Sequence, residues 1–152
     1  MSVNKVLILR GISGSGKSTW ARKFDQEHPR EVLIVSADDY FIQFGEYRFE
    51  ATQLTRAHSS CLSKYMEALA DPEEVCDVLI VDNTNTQLWE LSPYVALAQL
   101  HDTMFEVVEI TCSPLVAASR TTHGVSEEQI QKQHDRFEPA LPWWPSIYMK
   151  GD

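Results

Sequence analysis

The chain has 152 residues, enough to build one domain around a single core without disulfide or metal staples. Thirteen Lys and Arg against twenty-two Asp and Glu give a net charge of −9, which works against a non-specific duplex binder and leaves room only for a local basic patch. Hydrophobic residues at 43% and charged residues at 23% exclude the disordered and fibrous classes.

Three cysteines (Cys61, Cys76 and Cys112) are an odd number with no CxxC spacing. They read as reduced, mostly buried thiols rather than a disulfide framework or a structural metal site. The run Val6 to Leu9 is too short for a signal-peptide core or a membrane span. The expectation is a soluble, cytoplasmic protein of one domain with no membrane association.

Apolar runs of strand length alternate with helical patterns, as in a parallel sheet buried on both faces. The first strand is Val6–Leu9, and Gly11-Ile12-Ser13-Gly14-Ser15-Gly16-Lys17-Ser18 follows it as a full G-x-x-x-x-G-K-[ST] match. Glycines let successive backbone N–H groups turn inward around an anion, and the helix that opens at Lys17 adds its positive end. Gly11, Ser13, Gly14, Ser15, Gly16, Lys17, Ser18 and Thr19 are therefore the candidate nucleotide-binding residues. Lys17 is assigned to the β- and γ-phosphates of ATP and Ser18 to Mg²⁺. This helix is expected to end near Glu27, before His28-Pro29.

The second strand, Val32–Val35, runs into Asp38-Asp39. Ligands of open α/β sheets bind outside the carboxyl ends of the strands, so this pair shares an edge with the phosphate loop. If the second strand is not adjacent to the first, Asp38 stands two strand spacings away, roughly 10 Å. An acceptor hydroxyl would wait there, and Asp38 is the candidate general base. The competing reading is an Asx turn that caps the next segment.

A second helix is expected from about Ala51 to Leu69, where Leu54, Ala57, Cys61, Tyr65 and Leu69 share one face. The third strand, Val78–Val81, ends in Asp82, the candidate carboxylate on the magnesium side. Asn83 and Asn85 follow and are candidates for contacts to substrate or to the Asp38 loop. A third helix is expected to start at Ser92-Pro93, and a fourth strand spans Phe105–Thr111. A late helix opens with Ser126 as cap, and its polar body, Ile130 to Glu138, is expected to pack loosely or move. The tail around Leu141, Trp143, Trp144, Ile147 and Tyr148 carries no clear period.

Gly11 through Phe24, Ser36 to Tyr40 and Val81 to Asn85 together resemble the polynucleotide 5′-hydroxyl kinase family of P-loop kinases, especially the kinase domain of the phage enzyme. The resemblance implies transfer of the ATP γ-phosphate to a terminal hydroxyl of a nucleic acid. It implies Asp38 as base, Lys17 and Ser18 at the phosphates, and Arg120 as the lid arginine of a segment from Arg120 to Arg136. Two positions depart from the phage member. Phe41 stands where that enzyme has an arginine, and Asp82 lies one position earlier than its aspartate, with Asn83 in that place. The phosphatase module found in some members has no room in this length.

Arg120, His123, Lys132, His134 and Arg136 concentrate positive charge in an acidic chain, and Gly124 offers a hinge. Arg120 is assigned to the phosphates, Arg136 stays open between function and solvated surface, and His123 is assigned to the surface. Tyr40, Phe41, Phe44, Tyr47 and Phe49 crowd the loop after Asp38; they would stack on an acceptor base or fill the core. Trp143 and Trp144 are assigned to structure and His58 to the core.

The sequence thus predicts an α/β P-loop kinase fold: a mostly parallel sheet of four to five strands, helices on both faces and a helical lid, with the first four strands in the order 2-3-1-4. The expected reaction is ATP-dependent phosphorylation of a hydroxyl, first of all the 5′-hydroxyl of DNA or RNA. A small-molecule kinase, a kinase for a hydroxymethylated base in DNA and a non-catalytic ATP-binding regulatory module remain open.

Overall fold

The computed structural model describes residues 2–71, 73, 76–121 and 123–151. Among the described residues, seven strands and five helices follow in chain order. They are β1 (Lys5–Arg10), α1 (Lys17–Glu27), β2 (Val32–Val35), β3 (Ile42–Gln43), β4 (Glu46–Tyr47), α2 (Leu54–Ala70), β5 (Val78–Asp82), α3 (Leu88–Leu100), β6 (Met104–Thr111), α4 (Pro114–Arg120), α5 (Glu127–Asp135) and β7 (Ser146–Lys150). The main sheet has the order β2-β5-β1-β6-β7, and every pairing in it is parallel. Its first four strands stand in the order expected from the sequence, with β2 separated from β1 by β5.

Strand residues alternate between the two faces, which is why β1 and β5 read as unbroken apolar runs. On one face Val6, Ile8, Leu79, Val81 and Val107 pack with Ala57, Cys61 and Tyr65 of α2 and with Leu91, Val95 and Ala98 of α3. On the other, Leu7, Leu9, Ile80, Val108 and Ile110 pack with Ala21, Trp20 and Phe24 of α1. Among the described helices none is long and apolar enough to cross a membrane.

Several elements differ from the sequence reading. Helix α3 begins at Leu88, so Pro93 lies inside it rather than at its start. Its first N–H is capped from a distance: Leu88 N donates to Glu138 Oε1 at 3.0 Å, a partner that no local pattern reveals. Helix α2 begins three residues later than expected, after a 3-10 turn over Ala51–Gln53. Leu54 and His58 are exposed on it, so His58 is not a core histidine. The tail supplies a fifth strand, β7, with Trp144 buried before it and Trp143 exposed. The segment after Asp38 is a hairpin, β3–β4, joined by Phe44 and Gly45 with φ 51 and 78.

Helix α5, expected to pack loosely, is anchored instead. Ile130 of α5 is fully buried against Ile12 of the phosphate loop and Ala117 of α4, with Phe137 beside them. Truncating such a side chain to alanine costs about 2–5 kcal/mol, which outweighs the polar remainder of the helix. Ser126 caps α5 as expected, accepting from Gln129 N at 3.2 Å.

Candidate active site

The parallel sheet aims the carboxyl ends of β1, β5 and β2 at one edge, and the chain leaves each strand there with polar residues. After β1 the loop turns through Gly14 (φ 83) and Gly16 (φ 107), backbone conformations that L side chains rarely adopt. At Gly14 a Cβ would overlap the carbonyl oxygen of Ala117, so α4 closes tightly on the loop. Ser13 is held by α5: its N–H donates to Gln133 Oε1 at 2.8 Å, and Gln133 Nε2 donates to Ser13 Oγ at 3.1 Å. Ser15 is fully buried beside Gly11. No side chain caps α1, so its first N–H groups stay open to an anion.

Lys17 is buried, with 8% of its surface exposed, and its Nζ donates to the Ile12 carbonyl at 3.1 Å. Burial lowers the pKa of its ammonium, and the carboxylates of Asp82 and Asp38 oppose that shift. Ser18 Oγ donates to Asp82 Oδ2 at 2.8 Å, joining the loop after β1 to the end of β5. Burial raises the Asp82 pKa, while Lys17 and then Ser18 counter it. A hydroxyl and a carboxylate oxygen this close are a hard, all-oxygen donor pair suited to Mg²⁺. Thr19 follows, exposed on α1.

At the end of β2, Ser36 Oγ caps a 3-10 turn over Ala37–Phe41 by accepting from Asp38 N at 3.2 Å. Asn83 braces the same turn from below: its Oδ1 accepts from Ala37 N at 2.9 Å, and its Nδ2 reaches Cys61 Sγ at 3.5 Å. The turn leaves Asp38 exposed, with Oδ1 accepting from the Tyr47 hydroxyl at 3.1 Å and Oδ2 lying 3.5 Å from His123 Nδ1. Asp39 is also exposed, and partial burial of its carboxyl raises its pKa against the pull of Lys64. Tyr40 packs on the core edge and points its hydroxyl at Gln53 Oε1, 3.4 Å away.

The structure gathers Lys17, Ser18, Asp82 and Asp38 at one edge and sends other candidates elsewhere. Asn85 is buried (φ 46): its Nδ2 donates to the Leu9 carbonyl at 2.8 Å, and its own carbonyl accepts from Arg10 Nε at 3.0 Å. It stitches the segment after β5 to the end of β1 and is not free to meet a substrate. Arg136 ends α5 and donates from Nε to Thr86 Oγ1 at 3.1 Å. Arg120, the last residue of α4, is exposed and hydrogen-bonds the Gly151 carbonyl; Gly151 in turn lies against the carbonyl of Ser15.

Three residues near the site escaped the sequence reading. His123, assigned to the surface, contacts Asp38 and stacks on Tyr47, with centroids 3.9 Å apart and planes 9° apart. Tyr47 itself was readable as a core or stacking aromatic but not as a partner of Asp38. Arg10 is fully buried under the loop, stacked 4.3 Å over the Phe137 ring and donating to the Asn85 and Thr86 carbonyls.

Known proteins agree with this architecture. A gluconokinase from Sinorhizobium meliloti superposes with a TM-score of 0.64 at 15% identity, covering 99% of this chain and 84% of that one. Chaetomium thermophilum Kti12, solved with ADP-AlF3, gives 0.65 at 16% identity, covering 95% and 87%. At such identities the likeness is one of fold alone. In sequence, human NEDD4-binding protein 2 is 37% identical over 142 residues, covering 88% of this chain. This chain spans only 8% of that protein's length. An uncharacterized protein of Pasteurella multocida is 28% identical over 139 residues, which cover 85% of this chain and 74% of that protein. Residues 6–140 match the profile of the AAA domain family, and the chain belongs to that family.

Proposed function

We propose that the chain transfers the γ-phosphate of ATP to a hydroxyl, first of all the 5′-hydroxyl at an end of DNA or RNA. The observation that carries this reading is the row of side chains along one sheet edge: Lys17 after β1, Asp82 closing β5, and Asp38 after β2, in strand order. A carboxylate two strands from the phosphate loop lies beyond the γ-phosphate, where an acceptor oxygen attacks in line.

In the transfer, Asp38 accepts the proton of the acceptor hydroxyl. The oxygen forms its bond to the γ-phosphorus as the bond from that phosphorus to the β,γ-bridging oxygen breaks, and ADP leaves. Lys17 exchanges the Ile12 carbonyl for the phosphates, where its charge meets the charge that develops. Ser18 and Asp82 would hold Mg²⁺, which when bound neutralises charge on the phosphate oxygens. Arg120 trades the Gly151 carbonyl for the nucleotide.

The acceptor side favours a large substrate. Asp38 is exposed, and beside it the β3–β4 hairpin presents Phe44 with its whole surface open to solvent. A base stacked there would contribute about 1–3 kcal/mol. A second reading, a small hydroxyl-bearing substrate such as a sugar or nucleoside, is favoured by the net charge of −9.

The test is transfer from γ-labelled ATP with Mg²⁺ to a panel: 5′-hydroxyl DNA and RNA oligonucleotides, hydroxymethylated DNA, nucleosides and sugars, with Lys17→Ala as blank. Label on the oligonucleotide 5′-ends, absent from the blank, is the expected result. Label confined to another acceptor keeps the chemistry and replaces the substrate. Nucleotide binding without label on any acceptor overturns the reading in favour of a regulatory module.

A further inference from the structure

We propose that Tyr47 and His123 are positioning residues for Asp38: together they clamp its carboxylate in one orientation and join it to the lid. The inference rests on the reading of Asp38 as the base and names two residues that this reading does not supply.

Burial does not fix Asp38. About half of its side chain (53%) is exposed, and a carboxylate at such a site samples several rotamers unless hydrogen bonds choose one. Two groups from separate parts of the chain meet it, one at each oxygen. The Tyr47 hydroxyl donates a hydrogen bond to Oδ1 from β4, and His123 Nδ1, between α4 and α5, lies at ion-pair distance from Oδ2, 3.5 Å away. The two rings also brace each other, nearly parallel at 3.9 Å. Burial and the adjacent carboxylate push the Tyr47 pKa well above the ordinary tyrosine range, so its hydroxyl remains a donor throughout the neutral range. A carboxylate has about four lone-pair positions, so two contacts still leave room for an acceptor proton.

The hairpin register explains why Tyr47 is available. Tyr47 pairs with Ile42, the residue that follows the turn bearing Asp38, so the chain returns beside that turn after a two-residue loop. The lid explains His123. Arg120, three positions earlier, holds the Gly151 carbonyl against the phosphate loop, and His123 reaches Asp38 and Tyr47. Arg120 and His123 therefore reach the phosphate-loop side and Asp38, respectively.

The full-length chain and a set of variants test this. Tyr47→Phe keeps the ring stack and removes the hydroxyl, His123→Phe keeps the stack and removes the nitrogen, and His123→Ala removes both. Each is expected to lower kcat about ten- to a hundredfold, the scale of a misplaced reacting group, with KM for ATP unchanged. In an Asp38→Asn background the same substitutions are expected to add no further loss, because they act through Asp38. Equal losses in both backgrounds, or a rise in the ATP KM without a fall in kcat, would overturn the proposal.

A spectroscopic arm separates this proposal from the phosphotransfer reading. The His123 ring-proton signal is expected upfield, under the Tyr47 ring current, and is expected to move in Tyr47→Leu and in Asp38→Asn. A signal indifferent to both overturns the clamp whatever the acceptor assay gives. A signal that responds, in a protein that labels no acceptor, overturns the phosphotransfer reading and leaves the clamp standing.

Discussion

On the nucleotide side, Lys17 is buried, Gly14 is wedged under the Ala117 carbonyl, and Ser18 is bonded to a buried Asp82. Twenty-one positions after Lys17, on the side proposed for the acceptor, Asp38 is half exposed, and its carboxylate meets two ring side chains from other parts of the chain. The first half is made of backbone conformation and close packing, which resist change. The second is made of exposed side-chain contacts, each worth little alone and easily exchanged. A phosphate is the same in every ATP, whereas acceptors differ. On the proposed function, the contrast separates the part of the site that serves a constant ligand from the part that can be retuned.

The contrast can be broken by substitutions on either side. Lys17→Ala removes the cation that the proposed function sets against the transferring group and should cut transfer about 10²–10³-fold, read from label incorporation at saturating acceptor. A variant that kept most of its activity would mean that the buried lysine is structural. Gly14→Ala forces a positive-φ position and an overlap with α4, and should cost about 1–3 kcal/mol. At this chain length that is a fall in Tm of about 2–4 °C per kcal/mol, measurable by thermal unfolding, together with weaker nucleotide binding. An unchanged Tm would show that the loop is not packed as tightly as described.

Phe44→Asn should have the smallest effect and should act in opposite directions on fold and substrate. Phe44 and Gly45 both have positive φ, the pattern of a type I′ turn, where asparagine is preferred. Stability should therefore hold or rise by up to about 1 kcal/mol. Loss of a fully exposed ring on the hairpin whose Tyr47 contacts Asp38 should raise the KM for oligonucleotide acceptors about fivefold or more, and leave the KM for ATP alone. An unchanged oligonucleotide KM would remove the stacking argument and favour a small acceptor.

The same division governs what could be read from sequence. The G-x-x-x-x-G-K-[ST] run and the apolar strand ending in Asp82 are local patterns, since a phosphate loop and a buried strand each impose their composition on consecutive residues. Strand order also followed, because a right-handed crossover and the spacing of the motifs leave few topologies. What was hidden depends on distant partners. Helix α3 starts where Glu138 caps it, so its start signal lies 50 residues away in the chain. Strand β7 lies at the sheet edge with its side chains largely exposed, so it carries neither alternation nor an apolar run. Ile130 anchors an otherwise polar helix, and one residue is too little to show as a period. His123 and Tyr47 meet Asp38 only because a hairpin and the lid fold over it. Asn85, by contrast, was legible as a polar loop residue but not as the buried stitch between β1 and α3.

The central claim is that the two sides are built, and fail, separately. Its most direct test is a paired measurement on Asp38→Asn: affinity for a non-hydrolysable ATP analogue by calorimetry, and transfer to the best acceptor in the panel. The account predicts affinity within about twofold of the unsubstituted chain and transfer reduced about 10²–10⁴-fold, the range for loss of a general base. Transfer that survives the substitution, or affinity that falls in step with it, would contradict the account.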